Sequence, residues 1–194
     1  SAAERIVWLL VIVICVLALW LLVTGLGMLL LGLPPSGEEI ARGLAFLFAS
    51  FVYAGVWLSV AMAFSTIVKS PATSALCALT AWLLFTVFWP MLAPLIASAL
   101  APIDPLDPMT AVHQIDLQQA IARISPNTLY GETTLALLNP ATRSLGLLFT
   151  DQLSGAMMGA PLPFSLSVAL IWPQLAGMIA ALLVLFTIAY VSFQ

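Results

Sequence analysis

The stretch Leu44–Val68, LAFLFASFVYAGVWLSVAMAFSTIV, contains no charged residue and lies between Arg42 and Lys69. A helix needs about 20 consecutive apolar residues to cross the hydrocarbon core of a membrane, and this stretch is longer than that. Because backbone groups in lipid must be hydrogen-bonded within their own segment, we expect an α-helix here despite the β-branched residues. The stretch therefore predicts a membrane-spanning helix.

The composition of the whole chain agrees with this interpretation. Of its 194 residues, 63% are hydrophobic and 7% are charged, and the net charge is −3. An average soluble domain is about 45–50% apolar and about 25% charged. A globule of this size could not cover so much apolar side chain with polar surface. Composition thus excludes a soluble enzyme, a nucleic-acid-binding protein and a disordered chain, and it predicts an all-α integral membrane protein.

Runs without charge predict four transmembrane helices. Pro34-Pro35 followed by Gly37 ends the first, and Ser70-Pro71 is a tight turn that restarts a helix. Pro90 and Pro94 predict a kink late in the third helix, or the point where it leaves the hydrocarbon. The four predicted spans are Ile6–Leu33, Leu44–Val68, Thr73–Leu100 and Pro163–Phe193. We therefore expect residues 1–103 to form three transmembrane helices with short connections, and residues 163–194 to form the final one.

Residues 104–162 predict a helical extracytoplasmic segment. Asp107-Pro108 and Ser125-Pro126 each place a capping residue before a first-turn proline. An amphipathic helix between them carries an apolar face, and a second helix runs from about Asn127 to Leu138. A short third helix is expected after Pro140, and an exposed apolar loop is expected at residues 155–161. These helices could lie in the headgroup layer, pack on the outer ends of the spans, or gate a substrate. The apolar face consists of Leu117, Ala120, Ile121 and Ile124.

Basic residues in short flanks suggest the orientation. We place Arg5, Lys69 and the C-terminus in the cytoplasm of a cell whose inner (plasma) membrane holds the chain. The count of basic residues alone is three to two against this orientation. However, Arg42 follows two glutamates, and Arg123 and Arg143 sit in a long, acidic segment. Translocation of such a segment is less sensitive to charge.

The residues needed for catalysis or cofactor binding are not combined in any recognisable motif. His113 is the one histidine, which excludes an HExxH zinc site, and no phosphate loop is present. Methionines near His113 could suggest a soft-metal site, but their irregular spacing favours packing. Cys15 and Cys77 are expected to be small, buried apolar side chains without a disulfide. We therefore predict no catalytic, cofactor-binding or metal-binding residue, and we leave substrate-binding residues unknown. The methionines are Met91, Met109, Met157 and Met158.

No Asp, Glu, Lys or Arg lies well inside a predicted span. Proton- and ion-coupled carriers usually place ionisable residues at mid-membrane. Their absence from the spans disfavours such carriers, charged channels and proton pumps. If this chain moves a solute, we expect the energy to come from a partner.

Short motifs over nearly the whole chain resemble the membrane subunit (permease) of type-2 ABC exporters. In chain order they are Gly37-Glu-Glu-Ile-Ala-Arg-Gly43, Phe51-Val-Tyr53, Ala63-Phe-Ser-Thr-Ile-Val-Lys-Ser-Pro-Ala-Thr-Ser-Ala75, Ala81-Trp-Leu-Leu-Phe85, Trp89-Pro90, Ile124-Ser-Pro-Asn-Thr-Leu-Tyr130, Leu137-Leu-Asn-Pro140, Ile171-Trp-Pro-Gln174 and Ala189-Tyr-Val-Ser-Phe-Gln194. The resemblance implies a six-helix permease, of which these spans would be the third to sixth. It also implies two cytosolic ATP-binding subunits, a second permease copy, and no catalytic residue in the permease.

The family's N-terminal interfacial helix, first two spans and cytosolic coupling helix have no counterpart in the sequence. We therefore expect either a permease that lacks its N-terminal part or a four-helix relative. The function predicted is the membrane-spanning subunit of an ATP-driven exporter that contacts the bilayer and a separate ATPase, and no nucleic acid. The alternative is a structural membrane subunit whose outer helices dock a partner protein. An intramembrane enzyme is disfavoured because no nucleophile–base pair can be assembled.

Overall fold

The computed structural model describes residues 2–32, 36–139 and 162–193, and every regular element in these ranges is helical. The all-helical prediction is therefore confirmed for them. The elements are α1 (Ala2–Leu31), α2 (Gly37–Ile67), α3 (Pro71–Leu83), a π-helical segment (Leu84–Phe88), α4 (Trp89–Leu100), α5 (Pro108–Ala122), α6 (Pro126–Leu138) and α7 (Phe164–Phe193).

Three helical runs in the described residues are long and apolar enough to cross a membrane. They are Gly37–Ile67, Pro71–Leu100 and Phe164–Ser192, and they correspond to the second, third and fourth predicted spans. The first predicted span coincides with α1, within which Cys15–Met28 is a shorter apolar stretch. Its helical form is confirmed, and its passage through the membrane stays a prediction.

The chain divides into two compact units, residues 1–40 and 41–194. In the first unit α1 ends at Leu31, and Gly32 follows with a φ of 66°. This left-handed conformation suits glycine and commonly terminates a helix. Helix α1 therefore ends before Pro34 and Pro35, the residues that were predicted to end it.

A capping box starts α2 earlier than the hydropathy indicated. The Glu39 amide donates to Ser36 Oγ (3.2 Å), and the Ser36 amide donates to Glu39 Oε2 (2.9 Å). This reciprocal pair satisfies amides at a helix start that would otherwise lack partners. Helix α2 consequently begins at Gly37, whereas the charge-free run begins at Leu44.

In the second unit, α3, the π-helical segment and α4 form one continuous run that contains both prolines. The Trp89 amide donates to Leu84 O, five residues back, as in a π-helix. A proline ring crowds the carbonyl four residues before it, and the wider π turn directly before Pro90 relieves that crowding. Pro90 and Pro94 are thus accommodated without ending the helix.

Helix α6 packs between α2 and α7. Arg42 and Ser167 meet near the starts of α2 and α7, and Gly55 lies against Leu182 further along, so these two helices run in the same direction. Helix α6 runs the opposite way, because its C-terminal Leu137 packs on Ile171 and its Leu129 lies beside Gly177. The buried core cluster of Ala136, Leu137 and Ile171 is where the three helices meet.

Helix α5 packs along α4, and the corner between α5 and α6 reaches the π-helical segment. The bounds of α5 and α6 confirm both predicted helices, whereas the expected third helix and apolar loop lie outside the described residues. The predicted apolar face of α5 is wrong in detail. Ile124, just beyond α5, is 61% exposed and Ala120 is exposed, while Gln118 and Gln119 are half-buried. Leu117 and Ile121 are half-buried as well, whereas His113 and Asp116 are exposed, so the buried side of α5 mixes polar and apolar residues.

Both cysteines are free thiols. Their predicted burial is wrong: Cys77 is half-buried and Cys15 is exposed. The apolar runs that contain them indicated burial, but in a membrane helix an apolar residue can face lipid as well as protein.

Candidate functional site: polar contacts and an apolar cavity beside α6

Three side chains form a polar cluster between α6 and α7. Arg123 Nε donates to Glu132 Oε2 (3.0 Å) and Oε1 (3.2 Å), and Gln174 Nε2 donates to Glu132 Oε2 (3.0 Å). The Glu132 side chain is 12% exposed and Gln174 is 5% exposed. Hydrogen bonds to an ionised carboxylate are stronger than neutral ones, so this cluster fixes α6 against α7.

The cluster lies well along α7. Gln174 follows Phe164 by ten residues, which at 1.5 Å per residue is about 15 Å from the start of the helix. The sequence indicated no ionisable residue inside a span, yet the structure carries the carboxylate of Glu132 to this depth from the neighbouring segment. Its pairing with Arg123 leaves the cluster without net charge. Gln174, a polar residue in an apolar run, was the signal in the sequence.

One atom of the cluster lacks a partner. Gln174 Oε1 is buried and accepts no hydrogen bond from any of the residues that the structure describes. A buried acceptor in this state costs about 1–3 kcal/mol relative to a satisfied one. The contact between α6 and α7 is therefore held by strong bonds but is not fully satisfied.

Arg42 joins three elements at the other end of α6. It is 7% exposed, and its guanidinium donates to Leu137 O (3.2 Å), Ser167 Oγ (3.1 Å) and Leu162 O (2.5 Å). Leu137 is in the last turn of α6, where carbonyls lack amide partners and a cation is favoured. Sequence reasoning used Arg42 for orientation and missed this role, because these three partners lie 95 to 125 residues away in the sequence.

A line of aromatic side chains connects α2 to α6. The rings of Tyr53 and Tyr130 are stacked, with centroids 4.4 Å apart and planes 15° apart. Ser50 Oγ donates to Phe46 O (2.8 Å), so the Tyr130 hydroxyl donates to Ser50 Oγ (2.9 Å). Tyr53 OH donates to Asn127 Oδ1 (3.3 Å). These contacts hold the N-terminal half of α6 on α2.

The aromatic line continues to the π-helical segment. Trp57 lies edge-on to Tyr53 (6.3 Å between centroids), Phe85 follows Trp57 (6.5 Å), and Trp89 follows Phe85 (5.5 Å). Trp89 Nε1 donates to Ile121 O at the end of α5 (2.9 Å). The rings therefore connect α2, the π-helical segment and α5.

Ser125 completes the corner between α5 and α6. It is fully buried, its Oγ accepts from the Asn127 amide (3.2 Å) as the cap of α6, and it donates to Phe85 O (2.9 Å). Phe85 O needs this donor. The Trp89 amide bonds Leu84 O instead, and the next residue, Pro90, has no amide hydrogen. The π turn and the corner thus depend on each other.

An apolar cavity of about 400 Å³ lies at the N-terminal end of α6, beyond Pro126. Residues 56–67 of α2 form one wall, Ala81 and Phe85 a second, and Ala181 and Leu185 of α7 a third. Ile124 and Pro126, at the corner, close the end nearest to α6. The cavity is therefore the continuation of the space that α6 fills between α2 and α7.

The remaining candidates from the sequence are not brought together. Within the described ranges, no three His, Cys, Asp or Glu side chains are grouped so as to hold a metal ion. His113 and Met109 border a separate surface pocket on α5, while Met157 and Met158 lie outside the described residues. The candidate site therefore consists of the contacts that α6 makes and of the apolar cavity beyond its N-terminal end.

The comparison with protein families agrees with the helical, apolar architecture. Residues 4–194 match the ABC-2 family transporter protein, and the chain belongs to that family. It is therefore an integral membrane protein, and its family indicates a permease component of an ABC transporter. No curated protein and no solved structure matches the chain.

Proposed function

We propose that this chain is the membrane-spanning permease subunit of an ATP-driven exporter, which forms the translocation path and is powered by a separate cytosolic ATPase. The observation that carries the proposal is the family match over residues 4–194. A permease of this kind leaves ATP hydrolysis to its partner, which agrees with a chain whose described contacts concern helix packing. A second permease copy would complete the path.

The proposed topology has four spans, with Lys69 and the C-terminus in the cytoplasm and residues 104–162 entered from the outer side. In this topology α5 and α6 dip back into the membrane. Support comes from the corner, where Ser125 contacts Phe85, the fifteenth residue of the run Pro71–Leu100 and thus about its middle. The Glu132 carboxylate then lies in the membrane with Arg123 as its counter-ion, which is how buried charges are tolerated there.

The contacts of the polar cluster suggest which helix moves during transport. Helix α6 is bound to α7 by Glu132 and to α2 by Tyr130, so relative movement of α2 and α7 must break or remake those bonds. The unsatisfied Gln174 Oε1 lowers the stability of this arrangement, which favours exchange with a second one. We therefore place the conformational change of the transport cycle at α6.

The test is purification of the native complex with identification of its subunits, followed by reconstitution into vesicles. We expect two ATPase subunits to co-purify, and ATP hydrolysis to depend on the permease. A Glu132→Gln variant should assemble with the ATPase but hydrolyse ATP with altered coupling, and Lys69→Ala serves as an assembly control on the cytoplasmic side. A complex without ATPase would overturn the proposal and favour a structural subunit that docks a partner protein.

A further inference from the structure

We propose that the apolar cavity beyond the N-terminal end of α6 binds one acyl chain of a bilayer phospholipid, which enters sideways between α2 and α7. The cavity has a defined origin. Helix α6 packs on α2 and α7 as far as the corner at Pro126, and beyond it α2, α7 and the wall of Ala81 and Phe85 border an unfilled volume of about 400 Å³. That volume is within the range of about 300–1,000 Å³ typical of ligand sites.

The lining selects for hydrocarbon. Among the described residues that line the cavity, Trp57 Nε1 is the single polar side-chain atom, and it is itself buried. A water molecule in such a space would need 2–4 polar partners, which the walls do not supply. The inner wall is closed, because Val56 is fully buried and Ala63 is 9% exposed. An apolar group is therefore the occupant that the walls accept.

The position of the cavity's opening indicates the side from which an acyl chain would enter. Ile67 and Ile124 line the cavity and are 64% and 61% exposed, so the cavity opens to the side of the helices. The walls on α2, on the run Pro71–Leu100 and on α7 belong to helices that are long and apolar enough to span a membrane, and in the proposed topology the cavity therefore opens towards lipid tails. The wall on α2 runs over residues 56–67, about 16 Å at 1.5 Å per residue, which is an elongated space suited to a chain.

The site can be tested with a phosphatidylcholine that carries a diazirine at the middle of one acyl chain. The intact complex is placed in phosphatidylcholine vesicles containing this probe, illuminated and digested, and the labelled peptides are identified by mass spectrometry. We expect strong labelling of the α2 peptide that contains residues 56–67. This test requires membrane insertion only, so its result is independent of the proposed export activity.

Two adjacent alanines of α7 supply the matched variants. Ala181 lines the cavity, while its neighbour Ala180 is exposed. Ala181→Phe should fill the cavity and lower labelling of the α2 peptide about tenfold, equivalent to about 1.4 kcal/mol. Ala180→Phe should leave that labelling unchanged. Ala81→Phe, on the opposite wall, provides a second filled variant if Ala181→Phe lowers the yield of folded complex.

Either of two results would overturn the proposal. One is labelling of the α2 peptide that persists in both filled variants, since ordinary contact with surrounding lipid would then explain it. The other is an unlabelled α2 peptide in a complex whose exposed α3 surface is labelled, since another protein segment would then occupy the cavity.

Discussion

The space between α2 and α7 is filled in one half and open in the other. In the first half, α6 is held by Arg42, by the Glu132 cluster and by the stacked tyrosines. In the second half the same two helices line a cavity whose walls are apolar. The difference follows from the position of Pro126, where α6 begins, and not from any change in α2 or α7. Polar bonds therefore position α6, whereas the cavity offers apolar walls, which we propose contact an acyl chain.

The largest expected effect is the loss of the Arg42 contacts. Arg42→Ala removes one buried cation and leaves the acceptors on Leu137, Ser167 and Leu162 without it. Since each buried acceptor left unsatisfied costs about 1–3 kcal/mol, we expect a loss of about 3 kcal/mol or more in the free energy of unfolding. Thermal unfolding of the purified protein in detergent measures it. Lys69→Ala, at an exposed cation, should change stability by about 0.5 kcal/mol or less, and an equal loss in the two variants would contradict the assignment.

The polar cluster should show a smaller and graded response. Glu132→Ala leaves Gln174 Nε2 and Arg123 Nε without their acceptor, and we expect a cost of about 2 kcal/mol. Arg123 is one-third exposed, so water compensates for part of its loss. Glu132→Gln retains one carbonyl acceptor and should cost less than Glu132→Ala in the same unfolding measurement.

Gln174→Leu provides the matched comparison within that cluster. It removes one hydrogen bond to Glu132 but also removes the unsatisfied Oε1, so we expect a cost of about 1 kcal/mol or less. A Gln174→Leu variant that is less stable than Glu132→Ala would show that Oε1 has a partner and that the cluster is misassigned.

Ser125→Ala should destabilise the corner between α5 and α6, where the filled half of the space between α2 and α7 meets the open half. It removes the cap of α6 and the donor to Phe85 O, and loss of a helix cap costs about 0.5–2 kcal/mol. We expect about 1–2 kcal/mol in thermal unfolding. Thr80→Ala is the control, because the exposed Thr80 hydroxyl donates only to Leu76 O of its own helix. Equal stability of the two variants would argue against the bond between the corner and the π turn.

The smallest expected changes in stability are those of two glycine variants, one beside α6 and one where α2 approaches α7. A Cβ at Gly177 would lie 3.4 Å from Leu129 Cδ1, whereas one at Gly55 would lie 3.0 Å from Leu182 Cδ1. Replacing a helical glycine by alanine stabilises by about 0.5–1 kcal/mol when there is room. We expect Gly177→Ala to gain most of this in melting temperature and Gly55→Ala to gain less, because Leu182 must move. The reverse order would contradict the close approach of α2 and α7 at Gly55.

Most of the helices could be predicted from the sequence, because each depends on local features. Charge-free runs set the long helices, and the Ser125-Pro126 and Asp107-Pro108 signals set α6 and α5. The start of α2 was missed by several residues, since the capping box of Ser36 and Glu39 extends the helix into charged sequence. That signal was present locally and could have been used.

The candidate site could not be predicted in the same way. Arg42 binds groups 95 to 125 residues away along the chain, and Glu132 belongs to a segment that its composition assigned outside the membrane. Partial burial of Gln118 and exposure of Ile124 depart from the expected face of α5, because hydropathy does not reveal which side of a helix the rest of the chain covers.

The order of residues therefore established a helical membrane protein and most of its helix boundaries, since length, hydropathy and capping act over a few residues. The insertion of α6 between α2 and α7, the pairing of Glu132 with Gln174, and the cavity beyond Pro126 arose only when distant helices packed. Hydrogen bonds and cavities depend on which surfaces meet, and that information is contained in the packing of the whole chain and not in any one segment.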